Sequence, residues 1–208
     1  MDTAKTRLVV LVSGTGSNFK AIAEHIKTGE LNADIVGVIS NRPDAFALTT
    51  AKTLGIPACV CAPDPGQNRK DWEQKLLTQV ASFRPDLIIL AGFMKVLSSQ
   101  FVHHFYPRIL NIHPSLLPKF KGLDTHRRAL DSKEEKHGAT VHVVTPDLDS
   151  GPIVAQAEIQ IDPMDDAESL GAKVLEREHL LYASAIKSII QGDFILPEKM
   201  EAWAKNGI

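Results

Sequence analysis

The stretch Ile109-Leu110-Asn111-Ile112-His113-Pro114 places an amide and an imidazole at the carboxyl end of an apolar strand. Side chains alternate between the two faces of a strand, so Asn111 and His113 project to the same side. Pro114 has no backbone N–H and keeps His113 extended or in a turn, so the strand ends there. Open α/β sheets bind their ligands at the carboxyl ends of their strands. The stretch therefore predicts a donor and a titratable base beside a ligand, with an ordinary polar strand end as the alternative.

On both sides of this stretch, apolar runs alternate with helical patterns. Buried strands are predicted at 8–12, 35–40, 58–61 and 86–92 before it, and at 140–144 and 152–159 after it. Helices are predicted at 19–26, 44–54, 69–83, 99–104 and 125–130, and a long one opens at Asp165-Asp166-Ala167-Glu168, an N-cap with a capping-box Glu. The turn at 147–151 is too short for a parallel crossover, so the last two strands should be antiparallel. These patterns predict an α/β fold with a Rossmann-like, doubly wound, mainly parallel sheet and an antiparallel edge strand.

Composition limits the class of protein. The 208 residues are 44% hydrophobic and 23% charged, with a net charge of -2, which is typical of one globular domain spanning 1–208. No block of like charges suggests a nucleic-acid or anionic-membrane surface, and no apolar run approaches the roughly 20 residues of a membrane span. The N-terminus runs directly into a strand without a signal-peptide pattern, so we expect a cytoplasmic protein.

The cysteines and most of the histidines offer no metal site. Cys59 and Cys61 have neither metal-ligand nor redox spacing and are expected to be reduced core thiols. No H-E-x-x-H motif or Cys/His cluster is present, so no metal is predicted. His25 and His137 are predicted to lie on the surface.

The loop after the first strand, Gly14-Thr15-Gly16-Ser17-Asn18, resembles an anion site. Glycines let backbone approach an anion, and the following helix supplies free N–H groups and a positive dipole end. The third glycine of a dinucleotide fingerprint is replaced by Phe19, and no P-loop motif occurs. A single phosphate on a small substrate is the interpretation that fits better than NAD or ATP; a tight turn that merely needs glycine is the alternative.

Two carboxylates, Asp147 and Asp149, lie in the turn between the last two strands. Acidic residues in such turns usually cap the local backbone. If the fifth and sixth strands are neighbours, however, this turn lies beside His113, and a carboxylate there would favour the charged imidazole.

Four motifs taken together resemble the folate-dependent formyltransferases. They are S-G-x-G-S-N at 13–18, A-G-F-M at 91–94, N-I-H-P-S-L-L-P at 111–118 and D-L-D-x-G-P at 147–152, in that order along the chain. The resemblance covers essentially the whole chain and is greatest to the branch that formylates 5'-phosphoribosylglycinamide (GAR). It implies 10-formyltetrahydrofolate as co-substrate, GAR as acceptor, and a place in purine biosynthesis.

The resemblance also implies the site residues. The catalytic set would be Asn111, His113 and Asp149, and the GAR-binding residues would be Gly16, Ser17, Asn18 and Glu178. The folate would be bordered by Arg69, Met94, Lys95, Val96, Leu97, Asn111 and the loop that begins at Val144. The sequence departs from some family members at Lys121 and Asp124, where they carry Pro and His, and at Leu175, where a polar residue is expected. These positions lie outside the catalytic set and concern only the edges of the expected GAR site.

The expected chemistry agrees with these residue types. Formyl transfer to an amine passes through a tetrahedral oxyanion, which an Asn111 amide and a protonated His113 can stabilise. No nucleophilic Ser or Cys accompanies His113, so direct transfer is predicted. Formyltetrahydrofolate deformylase, with an extra N-terminal domain, and methionyl-tRNA formyltransferase, with an extra C-terminal one, fit this length and charge less well. A non-catalytic phosphate-sugar binding module is the alternative from another class. Either a monomer or a homodimer is compatible with the sequence.

Overall fold

A computed structural model of the chain describes residues 4–198, which form seven strands and six helices. The strands are β1 (Thr6–Val12), β2 (Ala33–Ser40), β3 (Ala58–Val60), β4 (Leu87–Leu90), β5 (Ile109–His113), β6 (Lys136–Val143) and β7 (Ile153–Gln160). The helices are α1 (Ser17–Lys27), α2 (Phe46–Thr53), α3 (Arg69–Ser82), α4 (Ser99–Phe105), α5 (Thr125–Asp131) and α6 (Ala167–Gln191).

All seven strands belong to one sheet with the order β3-β2-β1-β4-β5-β6-β7. The first five strands are parallel to one another, whereas β6 is antiparallel to both β5 and β7. The prediction of a Rossmann-like, mainly parallel sheet with an antiparallel edge is therefore confirmed. β6 lies directly beside β5, which is the neighbour relation that the sequence argument about Asp149 required.

The two faces of the sheet pack against different helices. Along β1, Leu8, Val10 and Val12 pack into one cluster that also contains residues of α1 and α6. The alternate residues, Val9 and Leu11, pack into a second cluster with residues of α3 and α4. Helices on both faces explain why the strands are continuously apolar rather than alternating.

Asp166 is the N-cap of helix α6, and the capping box differs in detail from the predicted one. The Asp166 carboxylate accepts hydrogen bonds from the backbone N–H groups of Glu168 and Ser169. The returning hydrogen bond joins the Asp166 N–H to the Ser169 hydroxyl rather than to Glu168. Ser169 occupies the third helical position, and that position is the one that can reach back to the cap.

A buried tyrosine of α6 bridges the ends of β4 and β5. The Tyr182 hydroxyl lies 3.1 Å from the carbonyl oxygen of Leu90 and 2.9 Å from that of Leu110. Burial raises the pKa of this phenol well above its usual value, so it stays a hydrogen-bond donor. Because Leu110 immediately precedes Asn111, the contact fixes the backbone that carries the amide.

The structure corrects two predictions about individual side chains. His137, predicted on the surface, is only 1% exposed. Cys59 and Cys61 are free thiols, but only Cys61 is buried and Cys59 is half-buried at the short strand β3. The polar sequence after Gly192 predicts a tail to Ile208 that is docked on the surface, and its part from 199 onward lies outside the described residues.

Tyr182→Phe is expected to lower the free energy of unfolding by about 1–3 kcal/mol, because two buried carbonyls lose their shared donor. Urea titration measures this change. Tyr106→Phe is the matched control, since the Tyr106 hydroxyl is buried without a hydrogen-bond partner among the described residues. We expect that second variant to be neutral or slightly stabilised. Equal losses in the two variants would contradict the structural role assigned to the Tyr182 hydroxyl.

Candidate active site

The antiparallel pairing of β5 and β6 places Asn111 directly opposite His142. The Asn111 Nδ2 atom lies 3.1 Å from His142 Nε2, and His142 Nδ1 lies 3.1 Å from the Val143 carbonyl oxygen. Burial is the main cause that lowers the His142 pKa, so the ring is neutral at pH 7. A neutral ring with its proton on Nδ1 satisfies both contacts, since Nε2 then accepts from the amide. Asn111 keeps its second amide hydrogen for a ligand.

His113 contacts a carbonyl on one side and a carboxylate on the other. Its Nε2 atom lies 2.9 Å from the Phe120 carbonyl oxygen, which can only accept a hydrogen bond. Its Nδ1 atom lies 3.4 Å from Oδ2 of Asp149, an ion-pair distance longer than a good hydrogen bond. The residue is 5% exposed. The imidazole is thus held between the loop after β5 and the turn after β6.

Asp149 has a left-handed backbone, with φ of 47°, a conformation that Asp tolerates better than most residues. Its Oδ2 atom accepts the Gly122 N–H at 2.9 Å, and its Oδ1 atom lies 3.7 Å from His142 Nε2. Two imidazoles therefore face one carboxylate. The structure brings together Asn111, His113 and Asp149, the three residues named as the catalytic set from sequence.

These three residues line a cleft of about 640 Å³ whose walls are largely apolar. Leu123 and Met94 are 76% and 68% exposed within it, and such exposed apolar side chains mark binding surfaces. The predicted folate residues that line the cleft are Met94, Lys95, Val96, Leu97, Asn111 and Val144.

Arg69 does not line this cleft, although sequence reasoning placed it there. It lines a neighbouring cavity of about 470 Å³. Its Nη2 atom donates to the Val96 carbonyl oxygen at 2.6 Å and lies 3.5 Å from the buried Glu73 carboxylate. Arg69 thus supports the wall of the cleft through the backbone of Val96 without lining the cleft itself.

A second cluster joins α1 to α6. The Asn18 amide donates to the Glu178 carboxylate at 2.7 Å, and both side chains are buried. Burial raises the Glu178 pKa, while the hydrogen bond from Asn18 lowers it. The Oδ1 atom of Asn18 is buried without a hydrogen-bond partner among the described residues. This pair does not line the 640 Å³ cleft.

Gly16 has a structural reason of its own to be glycine. Its φ is 73°, and an added Cβ would lie 2.6 Å from the Ala47 Cβ. The glycine therefore argues neither for nor against a phosphate, and Ser17 simply begins α1. The same loop reaches the cleft through Ser13, whose hydroxyl accepts the Met94 N–H at 2.7 Å.

Residues 6–186 match the family model described as formyl transferase. The chain belongs to this family. It is 40% identical to Escherichia coli (strain K12) phosphoribosylglycinamide formyltransferase over 94% of this chain and 92% of that protein. The structure of the phosphoribosylglycinamide formyltransferase of Coxiella burnetii is 43% identical and superposes with a TM-score of 0.87, covering 90% of this chain and 88% of that one.

A formyltetrahydrofolate deformylase of Pseudomonas putida KT2440 is also similar in structure. It is 33% identical, with a TM-score of 0.81, and the match covers 90% of this formyl transferase but 66% of the deformylase chain. Enzymes of both kinds share this fold, so an experiment that distinguishes them must test the acceptor of the formyl group.

Sequence reasoning missed three contacts of the site: His142, the Phe120 carbonyl and the Gly122 N–H. The only available signal was a histidine within the apolar run of β6. Among residues 4–198, no group of three or more His, Cys, Asp or Glu side chains is arranged to hold a metal ion. No helix in that range is long and apolar enough to cross a bilayer.

A second histidine pair lies behind the cleft. His126, which lines the cleft, has its Nδ1 atom 3.1 Å from Nε2 of the buried His137. Burial, followed by the nearby charges of His126 and His113, lowers the His137 pKa from 6.5 to about 4. The folded protein therefore keeps His137 neutral at pH values where the unfolded chain would protonate it.

The free energy of unfolding is expected to fall as pH decreases from about 6.5 to about 4. In this range His137 binds a proton in the unfolded chain but stays neutral in the folded protein. The loss attributable to His137 is about 2 kcal/mol between pH 7 and pH 5. Urea unfolding across this range, compared with His137→Asn, isolates the contribution from those of other histidines. The variant should show a shallower dependence on pH. Parallel curves for the two proteins would rule out His137 as a source of acid sensitivity.

Proposed function

We propose that this protein transfers the formyl group of 10-formyltetrahydrofolate to the amine of GAR in de novo purine biosynthesis. The observation that carries the proposal is the meeting of Asn111, His113 and Asp149 at one end of an apolar cleft. The names of the relatives at 40% and 43% identity support the same reaction.

Formyl-folate would occupy the 640 Å³ cleft, which has the size and apolar walls of a typical small-molecule site. A flat, largely aromatic ligand matches the exposed side chains of Met94, Leu123 and Leu148. Lys95 supplies a positive charge at the wall of the cleft, and Arg69 stabilises this wall through its hydrogen bond to the Val96 carbonyl. We assign the folate-binding role to Met94, Lys95, Val96, Leu97, Asn111 and Val144, with Arg69 acting indirectly through its hydrogen bond to the Val96 carbonyl.

GAR would bind where α1 begins and would extend toward His113. The backbone of Gly16, Ser17 and Asn18 lies at the amino end of an 11-residue helix, where free N–H groups and the dipole favour a phosphate. The unpaired Oδ1 of Asn18 and the carboxyl group of Glu178 would receive polar hydrogens of the sugar or the glycinamide.

The transfer itself forms one bond and breaks another. The GAR amine attacks the formyl carbon and makes a C–N bond, and the carbonyl oxygen becomes an oxyanion. The free N–H of Asn111 donates to that oxyanion, and the imidazolium of His113 would add a charge-assisted hydrogen bond from Nε2 in exchange for its contact with the Phe120 carbonyl. Collapse of the intermediate breaks the bond from carbon to N10 of the folate, so tetrahydrofolate leaves.

Proton movement balances the reaction. The attacking amine loses one proton, and N10 gains one as it departs. His113, helped by Asp149 or by water, would carry this proton as a general acid–base group. The negative charge of Asp149 would stabilise the positively charged form of the ring during the transfer.

The proposed steps use no metal ion and no nucleic acid. We further propose a cytoplasmic monomer or homodimer in which residues 1–208 form one formyltransferase domain.

Release of tetrahydrofolate from 10-formyltetrahydrofolate should depend on GAR, because the amine is the proposed nucleophile. A spectrophotometric assay with and without GAR measures this dependence, and formyl-GAR should appear in equal amount. Release at the same rate without GAR would instead indicate the deformylase, in which water replaces the amine. The similarity to the Pseudomonas putida deformylase makes this the relevant alternative.

Asp149→Asn should lower turnover by about 10²-fold, the scale of a general acid–base contribution, because it removes the charge that faces His113. The amide keeps an oxygen for the Gly122 N–H, so folding should be preserved. Asp147→Asn, in the same turn but exposed, is the control and should leave turnover near that of the wild type. Steady-state kinetics and thermal unfolding of both variants test the assignment. An equal effect of the two substitutions would remove Asp149 from the mechanism.

A further inference from the structure

One short segment, residues 119–124, contacts both members of the His113–Asp149 pair; we call it the bridging loop. The Phe120 carbonyl accepts from Nε2 of His113 at 2.9 Å. Two residues later, the Gly122 N–H donates to Oδ2 of Asp149 at 2.9 Å. The position of this loop therefore sets how the imidazole and the carboxylate face each other.

The bridging loop has an unusual backbone that needs outside support. Phe120, Gly122 and Asp124 all have positive φ, at 56°, 79° and 57°. Such conformations are unfavourable for residues other than glycine and persist only where surrounding contacts hold them. The guanidinium of Arg128 supplies one support, since its Nη1 atom donates to the Lys121 carbonyl at 2.6 Å and lies 3.2 Å from the Leu123 carbonyl.

The Lys121 side chain supplies the other support. Its Nζ atom donates to the Ser150 hydroxyl at 2.5 Å. Ser150 directly follows Asp149, and its hydroxyl also donates to the Leu148 carbonyl at 2.8 Å. Lys121 itself lies between Phe120 and Gly122, the two residues that bond to the pair. One side chain thus ties the centre of the bridging loop to the β6–β7 turn at the residue next to the carboxylate.

We propose that Lys121 is a positioning residue for formyl transfer: it holds the bridging loop against the β6–β7 turn and so fixes the separation of His113 and Asp149. This role rests on the function proposed above and adds to it a residue outside the folate and GAR sets. Lys121 acts through the backbone of Phe120 and Gly122 and need not touch either substrate.

Lys121→Met tests the tie, because it keeps the length of the side chain and removes the donor. Turnover should fall by about ten- to a hundredfold, the scale of a small misplacement of reacting groups. The KM values for GAR and formyl-folate should change much less. Hydrogen exchange of the Gly122 amide, followed by NMR, should become faster, since its bond to Asp149 loses its support.

Two further variants show whether the contact, rather than the charge, matters. Lys121→Arg keeps a cationic donor and should restore most of the turnover. Lys119→Met removes a positive charge from the same loop, where Nζ contacts the Glu134 carboxylate at 2.8–2.9 Å, and should behave like the wild type.

A double-mutant cycle of Lys121→Met with Ser150→Ala completes the test. If the tie is real, the second substitution costs little once the first is present, so the effects on turnover are non-additive. Additive effects, unchanged Gly122 exchange in Lys121→Met, or equal losses from Lys119→Met and Lys121→Met would each overturn the proposal. A wild-type protein that does not formylate GAR would overturn the proposed function instead. The exchange rates of the Gly122 amide would still show whether the Lys121–Ser150 hydrogen bond holds the bridging loop.

Discussion

The candidate site depends on the antiparallel register between β5 and β6. That register sets Asn111 opposite His142, and directly opposite side chains lie on the same face and within contact distance. A slip of one residue would turn the histidine to the other face of the sheet and leave the amide without its acceptor. The same pairing determines where β6 ends, and therefore where the following turn presents Asp149. One backbone pairing thus aligns three side chains that are up to 38 positions apart in the chain.

Electrostatics then separates the two histidines that face Asp149. His142 is buried, and burial lowers its pKa, so this ring stays neutral and accepts the Asn111 amide. His113 instead has both nitrogens directed at acceptors, the Phe120 carbonyl and the Asp149 carboxylate. A ring whose nitrogens face acceptors serves as a hydrogen-bond donor, whereas the ring of His142 accepts from an amide. The surroundings thereby give two chemically identical side chains different tasks.

Helix α6 joins the candidate site to the buried pair of Asn18 and Glu178. Glu178 and Tyr182 are four residues apart and lie on one face of the helix. Glu178 accepts from Asn18 at the start of α1, while the Tyr182 hydroxyl bonds to the ends of β4 and β5. The helix therefore sets the distance between the proposed phosphate end of the acceptor and the strand that carries Asn111. Rigid placement of this kind is what a direct transfer between two bound substrates requires.

The sequence alone determined the strand that ends at Pro114, the shared face of Asn111 and His113, and the alternation that produces a doubly wound sheet, because these follow from local periodicity and the covalent limits of proline. It also offered Asp147 and Asp149 as candidate partners of His113, and the family resemblance singled out Asp149. Only the tertiary structure decided that His142 contacts Asn111, that His137 is buried, and that Arg69 stands behind the cleft. These depend on strand register, on the left-handed backbone of the loop after β5, and on packing between residues far apart in sequence. No local pattern encodes such relations, since they arise only when the sheet has formed.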